Sequence, residues 1–381
     1  MSNQWKAFGN IPRVKLYCLI KEKLNEKYGS DIDTVIENRL GEEWSAICSK
    51  ELEEDYYNLA VLIDWLKKAG YPYMLTNGRC FITYLFDTTS PNPLPPHKYC
   101  LHCKKVYWCN DKVYKLDGFD IEMVEDSGIE VFDILPKYIF CDCQHGEFEY
   151  DGHDLLWQIP INPGHESDTE IEVLLPKGIE EKVAEVFGIN DLAIISISRE
   201  LLIGKLKLKF ALSEAKQGEN YYKNNVTSSC GPKVLEKWRE LIGISEDSDL
   251  PKPRCFNALL AVYSFKHSTR LWNFRTKFLV EKCAFRPETF ICFQEDIYKL
   301  YTDHGFSPQD SYTALLAHKD GLASPFRIDD IYWTEDNWKY LVLMAAYIPK
   351  YICSKGEILE KVFYSIRFQG LVKGIEYGQK F

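Results

Sequence analysis

The stretch from Asn92 to Asp154 constrains this chain more than any other. It begins Asn92-Pro93-Leu94-Pro95-Pro96-His97 and runs into Cys100-Leu101-His102-Cys103. It ends with Cys141-Asp142-Cys143, then Asp151-Gly152-His153-Asp154. Proline fixes φ and has no N–H, so the approach must be extended and cannot be helical. The cysteines then present thiolates at metal-ligand spacing. Cys100 and Cys103 form a Cys-x-x-Cys pair, the strongest local metal signal in the sequence. Cys141 and Cys143 form a Cys-x-Cys pair with His145 two residues on, so the fourth ligand is either Cys143 or His145, and Cys109 is a spare candidate. A closed four-coordinate site of this kind is structural, since it leaves no open position for water. A reduced cysteine cluster without metal is the alternative.

These flanks and clusters together resemble the zinc-bearing segment of bacterial C-family replicative DNA polymerases of the PolC type. That segment enters on Asn-Pro-Leu-Pro-Pro-His and leaves on Asp-Gly-His-Asp. The family has Cys-x-x-Cys in the second cluster, and here Gln144 stands at the last thiolate position. The resemblance runs from about Lys21 to Gly370 and is weakest between Ser196 and Tyr222. The family's histidinol-phosphatase-like, exonuclease and clamp-binding parts have no counterpart in the sequence.

A chain of 381 residues with a 46% hydrophobic and 14% aromatic content can bury a core and form two or three subdomains. The net charge of −10 disfavours a nucleic-acid grip over the whole surface. The charge is uneven, however. Asp120 to Asp154 holds eleven carboxylates against Lys137, whereas Pro251 to Phe290 holds eight Lys or Arg against two Glu. Thirteen cysteines in a chain of this length read as mostly reduced thiols in a cytoplasmic protein. The first residues have no signal-like apolar core, and the longest apolar run, Leu341 to Ile348, is too short to cross a bilayer, so no membrane role is expected.

From Val14 to Leu66 apolar residues recur at threes and fours: Leu16, Ile20, Leu24, then Val35, Ile36, Leu40, Trp44 and Ile47. Leu59, Val61, Leu62, Trp65 and Leu66 carry the helical pattern to a stop at Gly70. A turn at Asn77-Gly78 and a strand-like run from Phe81 to Phe86 follow. In the family this region carries a Gly-Ser-rich loop that cradles the incoming triphosphate. Only Gly78 survives of it here, with Arg79 as a candidate phosphate contact or, more simply, an exposed arginine beside a turn.

The resemblance also places the family's metal-binding carboxylates. Its Asp-Ile-Asp strand corresponds to Glu170-Ile171-Glu172, and its third aspartate to Asn225. In the family such residues hold two magnesium ions. Two-metal sites keep the ions ~3.5–4 Å apart and tolerate errors of only ~0.5 Å. Two Asp→Glu changes and an uncharged amide therefore spoil both geometry and charge. Lys205, Lys207 and Lys209 alternate along a later strand. In the last third, Ser264 to Trp272 is similar to the family's Leu-Ser-His-Gly-Thr-x-x-Trp motif, which makes Lys266, His267 and Arg270 candidate phosphate contacts, with packing on a helix face as the alternative. Glu335, Asp336 and Asn337 stand where the family has Lys-Ala-His.

The expected fold is α+β: a polymerase-like palm of nucleotidyltransferase type, a mixed sheet with helices, carrying a zinc insert and followed by helical fingers. The expected boundaries are 1–90, a helical segment and the start of the palm; 91–154, the cysteine-rich insert; 155–250, the rest of the palm; and 251–381, the fingers. The resemblance implies a polymerase core that has lost catalysis and serves DNA or a replication protein through its local basic patch, with structural zinc. The rival is a minimal nucleotidyltransferase using Glu170 and Glu172, which would need Mg.

Overall fold

The computed structural model describes residues 12–95, 97–108, 113–116, 119–122, 141, 143, 148–152, 170–189, 199–212, 239–240, 243–244, 249–253, 256–267, 272–282, 286–287, 290–319, 355–356 and 358–359. The chain divides into two compact units, one drawn mainly from residues 1–121 and 135–228 and the other mainly from 229–362.

The first unit opens with three helices: α1 (Pro12–Tyr28), α2 (Thr34–Ser49) and α3 (Glu53–Ala69). Their periodic residues form the core as the spacing predicts. Leu16, Ile20, Leu24, Ile36, Leu40, Ile47, Leu59 and Leu62 are buried. Val61 and Trp65 are only half-buried, and Val35 lies exposed. It occupies the first turn of α2, where the Asp33 carboxylate accepts its N–H at 2.8 Å as the helix cap. Trp44 is half-buried, its ring 5.3 Å from that of Tyr17. Gly70 ends α3 in the left-handed conformation, φ 73°.

The central sheet has four strands in the order β1-β7-β9-β8, that is Met74–Asn77, Ile171–Pro176, Leu206–Leu212 and Glu200–Ile203. It is mixed: β1 is antiparallel to β7, β7 is parallel to β9, and β8 is antiparallel to β9. Alternation along β7 and β9 sends Ile171, Val173, Leu175, Leu206, Leu208 and Phe210 into the core. Glu172, Lys207 and Lys209 alternate with them and are only half-buried. A short helix, α5 (Glu180–Val186), follows β7 and buries Val183 and Ala184.

The segment Phe81–Leu85 corrects the strand expected there: it is a short helix, α4. The reason lies at its N-terminus. The Cys80 N–H is bonded by the Thr83 hydroxyl at 2.8 Å, and the Thr83 N–H reaches the Cys80 sulfur at 3.4 Å. The buried carboxylate of Glu43 accepts the N–H groups of Phe81 and Ile82 at 2.9 and 3.0 Å. Free N–H groups at a helix start need such acceptors, and apolar periodicity alone does not reveal them.

A second sheet holds the cysteine segment. Its three strands run in the order β3-β2-β6, Val106–Trp108, His97–Cys100 and Phe148–Asp151, all antiparallel. A separate hairpin pairs β4 (Val113–Leu116) with β5 (Phe119–Glu122).

The second unit is helical where described: α6 (Phe256–His267), α7 (Phe274–Lys282), α8 (Gln294–Asp303) and α9 (Pro308–Lys319). Leu259 to Val262 are fully buried in α6. Phe265 stacks on Trp272 at 5.3 Å and meets Phe290 edge-on at 5.8 Å. Tyr301 on α8 bonds His318 on α9 at 3.1 Å. No described helix is long and apolar enough to cross a membrane.

Candidate functional site

The two flanks of the cysteine segment come together in space. His97 on β2 pairs with Asp151 on β6, so the two ends of the insert leave from one ladder. Gly152 lies against the Pro95 and Leu94 carbonyls, where an added Cβ would sit 2.2 and 2.8 Å from their oxygens. Its φ of 90° independently calls for glycine. His97 is wholly buried beneath this junction. Its Nδ1 faces the Pro95 carbonyl at 2.8 Å, and a carbonyl can only accept, so Nδ1 carries the proton. Nε2 then accepts from the Tyr28 hydroxyl at 3.2 Å, and that oxygen accepts from Asn92 Nδ2 at 2.9 Å. Every member of this chain is satisfied with a neutral imidazole. Burial accordingly pulls the His97 pKa below its usual value. Lys27 pairs with Asp151 at 2.9 Å, and the Tyr84 hydroxyl donates to the same carboxylate.

This clamp carries the four cysteines. Cys100 ends β2, and a tight turn brings back Cys103: the Lys104 N–H bonds the Cys100 carbonyl at 2.9 Å and the Cys100 N–H bonds the Lys105 carbonyl at 3.0 Å. Lys104 takes the left-handed conformation, φ 66°. Cys141 and Cys143 arrive opposite. The Cys103 and Cys141 sulfurs are 3.2 Å apart, those of Cys100 and Cys143 3.6 Å, and all four lie within 4.8 Å of one another. Tetrahedral Zn–S bonds of ~2.3 Å place sulfurs ~3.8 Å apart, so the group is close to the size required. The sequence left Cys143 and His145 open as the fourth ligand; Cys143 is in the cluster, while His145 and Cys109 lie outside the described residues.

The thiols behave as ligands held together. Burial raises the Cys141 pKa, but the Tyr107 hydroxyl at 3.3 Å, the Cys143 N–H and the neighbouring thiols outweigh it and hold it at about 6. For Cys103, the Lys105 backbone N–H favours the thiolate, but burial and the other three cysteines push it up to about 12. A cation held between the thiols would favour their thiolate forms. Cys100 and Cys141 are buried, Cys103 is exposed and Cys143 half-buried. Four cysteines at this separation can hold a metal ion, and the set is compatible with structural zinc.

The other candidates are placed differently. Glu170 is exposed just ahead of β7. Glu172 sits on the half-open face of the sheet, where its carboxylate accepts from the Thr76 hydroxyl at 2.8 Å and contacts the Lys209 ammonium. Lys207 turns instead to Glu200 at 3.7 Å. Gly78, φ 84°, allows β1 to pass β7: an added Cβ would lie 3.2 Å from the Ile171 Cα. Arg79, expected at the surface, is only 5% exposed. Lys266 donates to the Gly243 carbonyl at 2.7 Å, and desolvation lowers its pKa. His267 is exposed, its ring 4.4 Å from that of Tyr263. Asn225 and Arg270 lie outside the described residues, as do Leu341 to Ile348, Glu335, Asp336 and Asn337.

Sequence reasoning missed Glu43 and Asp55. Glu43 caps α4 and pairs with Arg39 at 2.8 Å. Asp55 accepts the Lys205 N–H at 2.8 Å, tying α3 to the turn between β8 and β9. Both sit in helices that also carry exposed charges, and burial sets these two carboxylates apart. No protein-family model matches the chain, and no curated protein matches its sequence.

Proposed function

We propose that the chain is a polymerase core of the PolC type that has lost catalysis and acts as a DNA- or replication-associated binding protein, with zinc bracing its cysteine insert. The mixed sheet, with helices before it and a helical unit beyond it, is compatible with a palm and fingers. The observation that carries the reading is the filling of both active-site places by the chain's own groups. At the position of a family metal ligand, Glu172 is engaged by Lys209 and Thr76. Where the resemblance expects a triphosphate cradle, the N–H groups at the start of α4 are taken by the Glu43 carboxylate. Phosphoryl transfer depends on positioned charge, and neither place offers it.

Binding would rest on the basic stretch of the second unit, where phosphate contacts are insensitive to sequence and steepen the salt dependence. The test combines two assays on the purified chain. Primer extension with magnesium should give no product. Fluorescence anisotropy with primer–template and single-stranded DNA across a salt series should show binding that weakens with salt and drops in Lys266→Ala/Arg270→Ala. Template-dependent synthesis lost in Glu170→Ala would establish the minimal nucleotidyltransferase instead. No DNA binding even at low salt would leave a protein partner.

A further inference from the structure

Two aromatic rings face water on one basic helix of the second unit. Phe274 is 84% exposed and Phe278 49%. They stand four residues apart on α7, a helix of nine residues, and so share one face. A single exposed apolar residue needs no explanation, but two large rings on one face form a patch. The helix carries Arg275, Lys277 and Lys282 against Glu281. Lys277 is shared loosely between Asp249 at 3.4 Å and Glu281 at 3.8 Å, and Lys252 and Lys282 are exposed.

Flat rings among ammonium groups match one ligand chemistry in particular. Every base of a single strand has a π-face that can stack on an aromatic side chain, while its phosphates attract the cations. A duplex keeps its base faces inside its own stack and offers the rings nothing. An acidic polypeptide would satisfy the charge but makes no special use of planar rings. The surface charge also opposes a broad duplex footprint, since the chain as a whole is at −10.

We infer that this face of α7 binds single-stranded nucleic acid, with bases stacked on Phe274 and Phe278 and the backbone met by the surrounding lysines. The inference rests on the nucleic-acid reading of the chain and adds to it the form of the ligand and the residues that hold it.

The experiment compares a labelled oligothymidylate with an abasic phosphodeoxyribose oligomer of the same length, by anisotropy at low salt, on the full chain. The wild type should bind the base-bearing strand at least about tenfold more tightly. The double variant Phe274→Leu/Phe278→Leu keeps apolar bulk but has no ring faces. It should bind both oligomers alike, with an unchanged salt slope and, because both sites are exposed, an unchanged thermal midpoint. A base preference equal in wild type and variant would overturn the inference while leaving DNA association intact. Tighter binding of polyglutamate than of the oligothymidylate would overturn it in favour of a protein partner. No binding of any DNA would overturn both readings.

Discussion

The Lys209 ammonium on β9 lies against the Glu172 carboxylate on β7, across two parallel strands that pair side by side. Thr76 on the opposite neighbour, β1, donates to the same carboxylate. A side chain held by two strands is fixed in place, and its charge is already matched. It has the environment of a structural ion pair.

Glu172→Gln should therefore cost stability and nothing else. The pair is half-open to water, which limits its worth to about 1 kcal/mol. Chemical denaturation should show a loss of that size. Primer extension should stay absent in the wild type, in this variant, and in a triple variant with Asp at 170, 172 and 225. Synthesis by the wild type would refute the non-catalytic reading, whereas synthesis by the triple variant alone would show that the metal-binding carboxylates are all that was lost.

The cysteine cluster predicts its own metal content. Purified protein should carry about one zinc per chain, by the four-ligand arithmetic of a closed site. Cys100→Ser should lose the metal and destabilise the insert, because binding free energy at such a site is folding free energy. Cys143→Ser should do the same, whereas His145→Ala should leave zinc in place. Retention of zinc in Cys143→Ser with loss in His145→Ala would move the fourth ligand to the histidine.

Much of this site was legible because its signals are local. Prolines, paired cysteines and the Asp151-Gly152 exit can each be read within a few residues, and the ladder joining His97 to Asp151 brings the two flanks together. The core face of α1 was legible for a similar reason: Leu16, Ile20 and Leu24 repeat at helical spacing and are buried. What escaped depends on partners far away in sequence. Nothing near Glu43 says that it will cap a helix 38 residues on, and nothing near Asp55 says that it will bind the Lys205 N–H 150 residues on. The helix at Phe81 escapes partly for that reason: its residues favour a strand, and the Glu43 carboxylate joins the local Cys80–Thr83 cap in starting a helix.

Gly152 should tolerate no side chain. Gly152→Ala would force a Cβ to within 2.2 Å of a backbone oxygen at a φ of 90°. The left-handed backbone alone costs ~1–3 kcal/mol for a residue with a side chain. Backbone cannot move aside as a flexible side chain would, so the total should be at least about 3 kcal/mol. Gly178→Ala, at a similar φ but with open space around it, should cost less. Equal effects in the two variants would show that the Pro95 contact is unimportant.

His97 makes the first unit sensitive to acid. Its native pKa is depressed, so as pH falls below the ordinary ~6.5 the unfolded chain takes the proton first. The stability contributed by the neutral ring is complete above that value and is lost as the pH falls through the lowered native pKa. Protonation would also place an Nε2–H against the Tyr28 hydroxyl, which now donates to that nitrogen. A ring-proton titration should show His97 changing charge below the ordinary imidazole value of ~6.5. A midpoint at or above that value would refute the buried neutral chain.

Asp296 should act in the opposite direction within the second unit. Burial raises its pKa to about 6, although the N–H groups of Cys292 and Phe293 donate to Oδ2 at 2.8 and 2.9 Å and favour the anion. An unfolded aspartate titrates near ~3.9, so between roughly pH 4 and 6 the native state holds a proton that the unfolded state has released. Stability from this group is therefore present at low pH and is lost as pH rises through about 6, by about 3 kcal/mol in all. Asp296→Asn keeps an acceptor for the two N–H groups and cannot ionise. The variant should match the wild type near pH 4 and become progressively more stable than it towards pH 7, as read from denaturant unfolding at each pH. A difference that stays flat, or that favours the wild type at pH 7, would mean that ionised Asp296 is stabilised by the start of α8 more than burial opposes it.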